Sequence, residues 1–318
     1  MRRRRFLLTT AVAPALLLGT NEKLTHKQRI DRALTGKDVD RPPFTHWHHF
    51  GLTTPEEHAA ETLRYHRDYR TDLVKVMSDF PYPKPAAERW YELKVEKNPF
   101  PQQIRALELI RDGLNGDAYF IETIFNPWNV AEKLSSKEEV LRLKQENPKA
   151  LMQALEVITE SEINHAKLAT RTGVSGFLVS VANANAKELS PEDYQKFSAP
   201  FDKKFLEATK GAKLNFLHLH WEPAYVDLFQ SFPAPVINFS QHVSGVQMGD
   251  VRSKYPSAVL AGGIDEVHYR ELTPAQLKQQ ADAARAAAGP KFILTPGCSV
   301  PNDSKPEELS RLPQLLGA

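Results

Sequence analysis

The sequence predicts one α/β domain built as a closed (β/α)8 TIM barrel. Eight short β-branched or apolar runs alternate with longer amphipathic stretches, the pattern of parallel βαβ units. They spread over about 280 residues, the span of one such barrel. No glycine-rich dinucleotide fingerprint follows the first run, which argues against an open doubly wound sheet.

The expected strands are residues 43–49, 73–76, 119–125, 176–180, 215–219, 236–239, 259–263 and 292–295. Most are short β-branched or apolar runs, as strands buried on both faces require. Helical periodicity is clearest over 137–144, 148–170, 191–209 and 274–288. Two of these have explicit start signals: Ser190-Pro191 and Thr273-Pro274 put a capping side chain before proline at the first helical position.

Of the 318 residues, 41% are apolar and 25% charged, the balance of a soluble globular enzyme. That excludes a disordered chain and a polytopic membrane protein. The single cysteine, Cys298, excludes an intrachain disulfide. Residues 1–20 hold four arginines and no acid, so the remainder carries 37 basic against 39 acidic residues. A body that neutral has no electrostatic signature of nucleic-acid binding.

Residues 1–20 form a separate unit, a cationic head followed by an apolar run from Phe6 to Leu18. As a helix this run would extend roughly 20 Å, short of the ~30 Å hydrocarbon core. It reads as a signal peptide, and Arg3-Arg4-Arg5-Phe6-Leu7 fits the core of twin-arginine signals. The expectation is export to a periplasmic or other extracytoplasmic space, with a barrel over residues 21–318 and no membrane span once the signal is removed. The alternatives are an uncleaved anchor or a cytoplasmic protein.

In such a barrel, chemistry sits at the carboxyl ends of the strands. Six of the eleven histidines fall there: His46, His48, His49, His218, His220 and His242. His218 and His220 are two apart in a strand, so they share one face. Cys298 follows the last strand. Two imidazoles and a thiolate would make a three-ligand zinc site with one position open, a catalytic arrangement; the bland alternative is a buried thiol beside two hydrogen-bonded histidines. His46 and His48 share a face of the first strand and are read as a polar wall orienting substrate. Asp79, flanked by apolar and aromatic residues, is expected to be desolvated with a raised pKa, suiting acid–base work. Asn183 and Asp265 complete the strand-end set as substrate contacts, although Asp265 could instead cap the following turn.

Six stretches carry a resemblance. They are Ala33-Leu34-Thr35-Gly36 with Val39-Asp40-Arg41-Pro42-Pro43; Asp72 to Asp79; Phe125-Asn126-Pro127-Trp128; Leu189-Ser190-Pro191; Gly262-Gly263-Ile264-Asp265; and Pro296-Gly297-Cys298-Ser299-Val300-Pro301. From about Arg29 to Leu315 the chain resembles the uroporphyrinogen decarboxylase family, in a divergent branch with methyltransferase-like features. The resemblance implies a (β/α)8 barrel that either decarboxylates or passes a methyl group from a corrinoid to a thiol. Against the decarboxylases, Thr45 to Gly51 contains no arginine for substrate carboxylates, Lys133 and Ala184 stand near the expected tyrosine and serine, and Cys298 replaces a histidine. Only the central aspartate is kept, as Asp79. The methyltransferase zinc motif, His-x-Cys with a distant Cys, corresponds to His218, His220 and Cys298, histidine replacing the middle cysteine. This implies zinc-assisted methyl transfer, a corrinoid supplied by a partner protein, a small-molecule substrate and a homodimer. Decarboxylation of uroporphyrinogen or another carboxylated substrate is the second reading. A non-catalytic exported tetrapyrrole- or metal-binding protein is the third.

Overall fold

The computed structural model describes residues 23–220 and 225–318. Seven strands form one parallel sheet in sequential order: β1 (Leu73–Val76), β2 (Tyr119–Phe125), β3 (Phe177–Val181), β4 (Phe216–Leu219), β5 (Val236–Phe239), β6 (Val259–Ile264) and β7 (Phe292–Pro296). Helical crossovers join neighbours, as parallel pairing demands. The expected signal at residues 1–20 lies outside the described residues. No helix among those described is long and apolar enough to cross a membrane.

Local signals account for most helices. Thr25, Thr54, Asn126, Ser136, Ser190 and Thr273 each cap a helix with a side-chain oxygen. Thr25 and Thr273 complete capping boxes with Gln28 and Gln276. The expected single helix over 191–209 is two, Pro191–Phe197 and Ala199–Thr209. Pro200 cannot donate an interior helical hydrogen bond, so the chain restarts at Ala199.

The expected first strand is corrected. Among the described residues, 43–49 contributes one bridge, Phe44 to Leu294. Pro42 and Pro43 lack amide protons, so a ladder cannot begin there. The segment is nevertheless held at both sheet edges: Thr45 N donates to Leu294 O and Asp72 N to Phe44 O. Asp72, fully buried at the head of β1, accepts from Arg29, Arg41 and the Phe44 amide. Burial opposes its charge, but His26, Arg41 and Arg29 together keep its carboxyl below the usual range.

Alternation along the strands sorts the apolar side chains into two clusters. One joins Leu73, Ile121, Leu178, Phe216, Val236, Ala261 and Ile293, one from each strand. The other packs the opposite sheet face against the helices. Two residues further along most strands, the first face turns polar: Lys75, Thr123, Ser180, His218, Asn238 and Thr295 follow the apolar floor. A dry floor beneath a buried polar layer is what positions the site.

Candidate functional site

His218 lies within β4 and His220 just after it. Cys298 lies in the turn after β7. One ligand atom from each of the three falls within 4.8 Å of the others. The two rings stand edge to face, with centroids 5.5 Å apart. Burial pushes the His220 pKa down to about 4 and drives that of His218 well below the usual imidazole range, so both rings are neutral at pH 7. Burial likewise pushes the Cys298 thiol up. Gly297 makes the approach of Cys298 feasible: a Cβ there would stand 2.3 Å from Ser240 Cα.

Asn238 on β5 orients His218. Its Nδ2 donates to Ala261 O and Thr295 Oγ1, each at 3.1 Å, and to Pro296 O at 3.3 Å. Its Oδ1 therefore faces His218 and accepts from Nδ1 at 2.5 Å. The proton is fixed on Nδ1, and Nε2 keeps its lone pair. Such an outer partner is the usual companion of a metal-binding imidazole. Two neutral nitrogens and a thiol, one nitrogen oriented from behind, suit a zinc ion.

Lys75 was not anticipated. This buried lysine of β1 has its Nζ 2.8 Å from Met77 Sδ and 4.9 Å from the Trp47 ring centroid. Burial lowers its pKa to about 7, against the opposing charges of Cys298 and Asp79. Its charge in turn acts on both His218 and Asp79, so these groups form one electrostatic unit.

Asp79 corrects an expectation. Burial does work against its charge, but the His49 hydrogen bond at 2.7 Å, with His49, His58 and Lys75 nearby, outweighs it. Its pKa lies below the ordinary carboxylate range, and the group is an anion at pH 7. Its Oδ2 has no hydrogen-bond partner.

The remaining expected residues make other contacts. His46 bonds Tyr65 Oη at 2.6 Å and packs among Tyr65, Tyr69 and Tyr269; burial lowers its pKa to about 3. His48 packs on Phe50 and Tyr65. Both turn toward the helix Pro55–Tyr69, while their neighbours Trp47 and His49 meet Lys75 and Asp79. His46 and His48 thus share a face, as the spacing of two predicts, and Trp47 and His49 alternate onto the other. Asp265 accepts from the amides of Val267 and His268 and pairs with the His268 ring at 2.9 Å, a capping role. Asn183 accepts from Asn126 at 2.8 Å, beside the buried Asp202, and its own Nδ2 is unpartnered.

A second cleft opens beside Asp79. It has a volume of about 240 Å³ and reaches from Asp79 to Lys133 and Glu162.

Parallel strands with converging polar groups beyond their carboxyl ends define an α/β enzyme whose chemistry sits at that end of the sheet. Residues 78–316 match the family model described as uroporphyrinogen decarboxylase (URO-D). The chain belongs to that family, in a divergent branch, and is an enzyme of its superfamily. A chloroplastic uroporphyrinogen decarboxylase 2 of Arabidopsis thaliana is 30% identical over 122 residues, 36% of this chain and 30% of the relative. The uroporphyrinogen decarboxylase of Prochlorococcus marinus is 24% identical over 213 residues, 64% of this chain and 59% of the relative. The chain thus aligns with under two thirds of either relative's length. Among solved structures, a methyltransferase from Methanosarcina mazei superposes with a TM-score of 0.77 at 17% identity, covering 92% of this chain and 98% of the other. A B12-independent methionine synthase from Shewanella sp. W3-18-1 gives 0.61 at 12% identity, covering 87% and 93%. At those identities the likeness concerns the fold.

Proposed function

We propose that this enzyme catalyses metal-assisted methyl transfer to a thiol or similar nucleophile, with zinc held by His218, His220 and Cys298. The convergence of their ligand atoms within 4.8 Å, from chain positions up to 80 residues apart, carries this reading. Zinc in that position supplies Lewis acidity, keeping a bound thiol as the thiolate at neutral pH. Asn238 keeps His218 oriented. Cys298 would hold the metal as a thiolate, its proton released to solvent, and the positive charge of Lys75 would favour that thiolate. Asp79, held as an anion by His49, offers Oδ2, which has no hydrogen bond and lies 3.9 Å from His58 Nδ1, to positive charge or a proton on the substrate. The methyl donor would be a corrinoid on a partner protein.

The reading extends to the scaffold and the compartment. Pro43–Thr45, bonded at both sheet edges, would occupy the eighth position and complete the cylinder. The arginine-rich start supports export by a twin-arginine route.

Decarboxylation is the second reading, favoured by one observation: Asp79 is ionised and has an unpartnered oxygen, suiting it to stabilise a cationic intermediate. The absence of arginine from Thr45 to Gly51 weighs against a substrate with many carboxylates. Metal analysis separates the two. Purified enzyme should carry about one zinc per chain, and Cys298→Ala should lose both zinc and methyl transfer. Full activity in metal-free enzyme, or uroporphyrinogen turnover by it, would overturn the proposal.

A further inference from the structure

The cleft beside Asp79 has an unmatched set of polar groups. Its walls are aromatic, with Phe80, Phe100 and Phe125 among them. Lys133 lies at its edge on the helix Pro127–Leu134. The ammonium has no ion pair among the described residues and rests 2.8 Å from the centroid of the Phe125 ring. Glu162, from the long helix Pro148–Thr172, is 1% exposed, and its Oε2 has no hydrogen-bond partner. A buried polar atom left unbonded costs roughly 1–3 kcal/mol, so a ligand that satisfies it recovers that cost. Burial, with Asp202 and Glu122 nearby and Lys133 opposing, raises the Glu162 carboxyl well above its ordinary range, which favours its protonated, hydrogen-bonding form.

Each feature specifies part of a ligand. The Lys133 ammonium, with Lys84 also lining the cleft, offers several N–H donors to an anion such as a carboxylate, which would share it with Asp79 and Glu162. Three phenyl rings call for a flat apolar body. The neutral acid calls for a second oxygen. The volume of about 240 Å³ lies below the roughly 300–1,000 Å³ typical of drug-sized ligands, which leaves room for one ring and none for a tetrapyrrole.

We propose that this cleft binds a one-ring aromatic carboxylate bearing a further oxygen substituent, its carboxylate on Lys133 and its second oxygen on Glu162. The inference rests on the proposed reading in which Asp79 faces the substrate, and it names the substrate class that Asp79 would meet.

Titration calorimetry tests it with 4-hydroxybenzoate, benzoate, benzylamine and uroporphyrin as probes, on the full chain, metal-free and as Cys298→Ala. The expected order is 4-hydroxybenzoate at least fivefold tighter than benzoate, with no heat from benzylamine or uroporphyrin. Lys133→Met should weaken both acids tenfold or more, and Lys133→Gln should do the same if the first variant does not fold. Glu162→Leu should erase the difference between the two acids, and Glu162→Ala serves if that variant does not fold. Equal binding by the Lys133 variants, or preference for benzylamine or uroporphyrin, would overturn the inference. Because the protein is metal-free, acid binding that survives Cys298→Ala leaves the metal reading to its own test. Purified wild-type enzyme that carries no zinc, with acid binding intact, would sink only that reading.

Discussion

Replacing Asn238 by alanine tests the orientation of His218 without touching a proposed metal ligand. Asn238 is fully buried and makes four hydrogen bonds: one to His218 Nδ1 and three to acceptors on β6, on β7 and at its end. Truncation leaves the His218 Nδ1–H without an acceptor in a dry site, worth about 1–3 kcal/mol. The small cavity left by the amide adds to this, so the metal-free protein should lose roughly 2–4 kcal/mol in urea unfolding. Removing the outer partner of a ligating histidine typically costs 10- to 100-fold in metal affinity, and zinc binding measured by chelator competition should fall within that range. Asn238→Asp separates the two effects. Its carboxylate still accepts from Nδ1, so zinc affinity should remain within a few-fold of wild type. It cannot donate to the three acceptors, so stability should still drop. Wild-type zinc affinity in the alanine variant would refute the assigned tautomer.

Two further outcomes follow from particular contacts. Burial raises the pKa of Asp202 to about 7 despite hydrogen bonds from Tyr194, Asn126 and Ser198. A carboxyl with a raised folded pKa binds more protons folded than unfolded, so its contribution to stability falls as pH rises from about 4 to 7. Asp202→Asn should remove that slope, by a few kcal/mol at most, when urea unfolding is compared at pH 4.5 and 7.5; an unchanged slope would contradict it. Gly297→Ala would place a Cβ 2.3 Å from Ser240 Cα and 2.8 Å from Glu266 Oε2. Overpacking against backbone should cost about 1–3 kcal/mol and, by displacing Cys298, lower zinc occupancy; a variant with wild-type melting and full zinc would contradict it.

How much of this could be read from the sequence depended on the kind of signal. Runs such as Leu73–Val76 and Val236–Phe239, and the Thr273-Pro274 start, have local causes, and their expected boundaries match the structure. The first strand did not behave this way. Two prolines removed its donors, and the segment is held by Asp72 and Leu294 instead, contacts remote in sequence. The alternation of side chains survived the loss of the ladder: His46 and His48 share a face, against Tyr65, while Trp47 and His49 meet Lys75 and Asp79. Asp79 failed differently. Its apolar neighbours were visible, but the His49 bond that reverses the effect of burial is a tertiary fact. Lys75 and Asn238 were legible in principle: a lysine in Leu-Val-Lys-Val and an asparagine in Val-Ile-Asn-Phe are polar residues inside wholly buried strands. Glu162 carried no such mark and Lys133 only that of the family resemblance, because charged residues on helices usually face water.

The central claim is that one sulfur and two imidazoles share a zinc ion, and X-ray absorption at the zinc edge tests it most directly. The expected spectrum of the zinc-loaded enzyme has a single sulfur scatterer near 2.3 Å, with nitrogen or oxygen scatterers at about 2.0–2.1 Å. In Cys298→Ala the sulfur shell should vanish. A wild-type spectrum with only nitrogen and oxygen neighbours, or a sulfur shell that survives the substitution, would contradict the account.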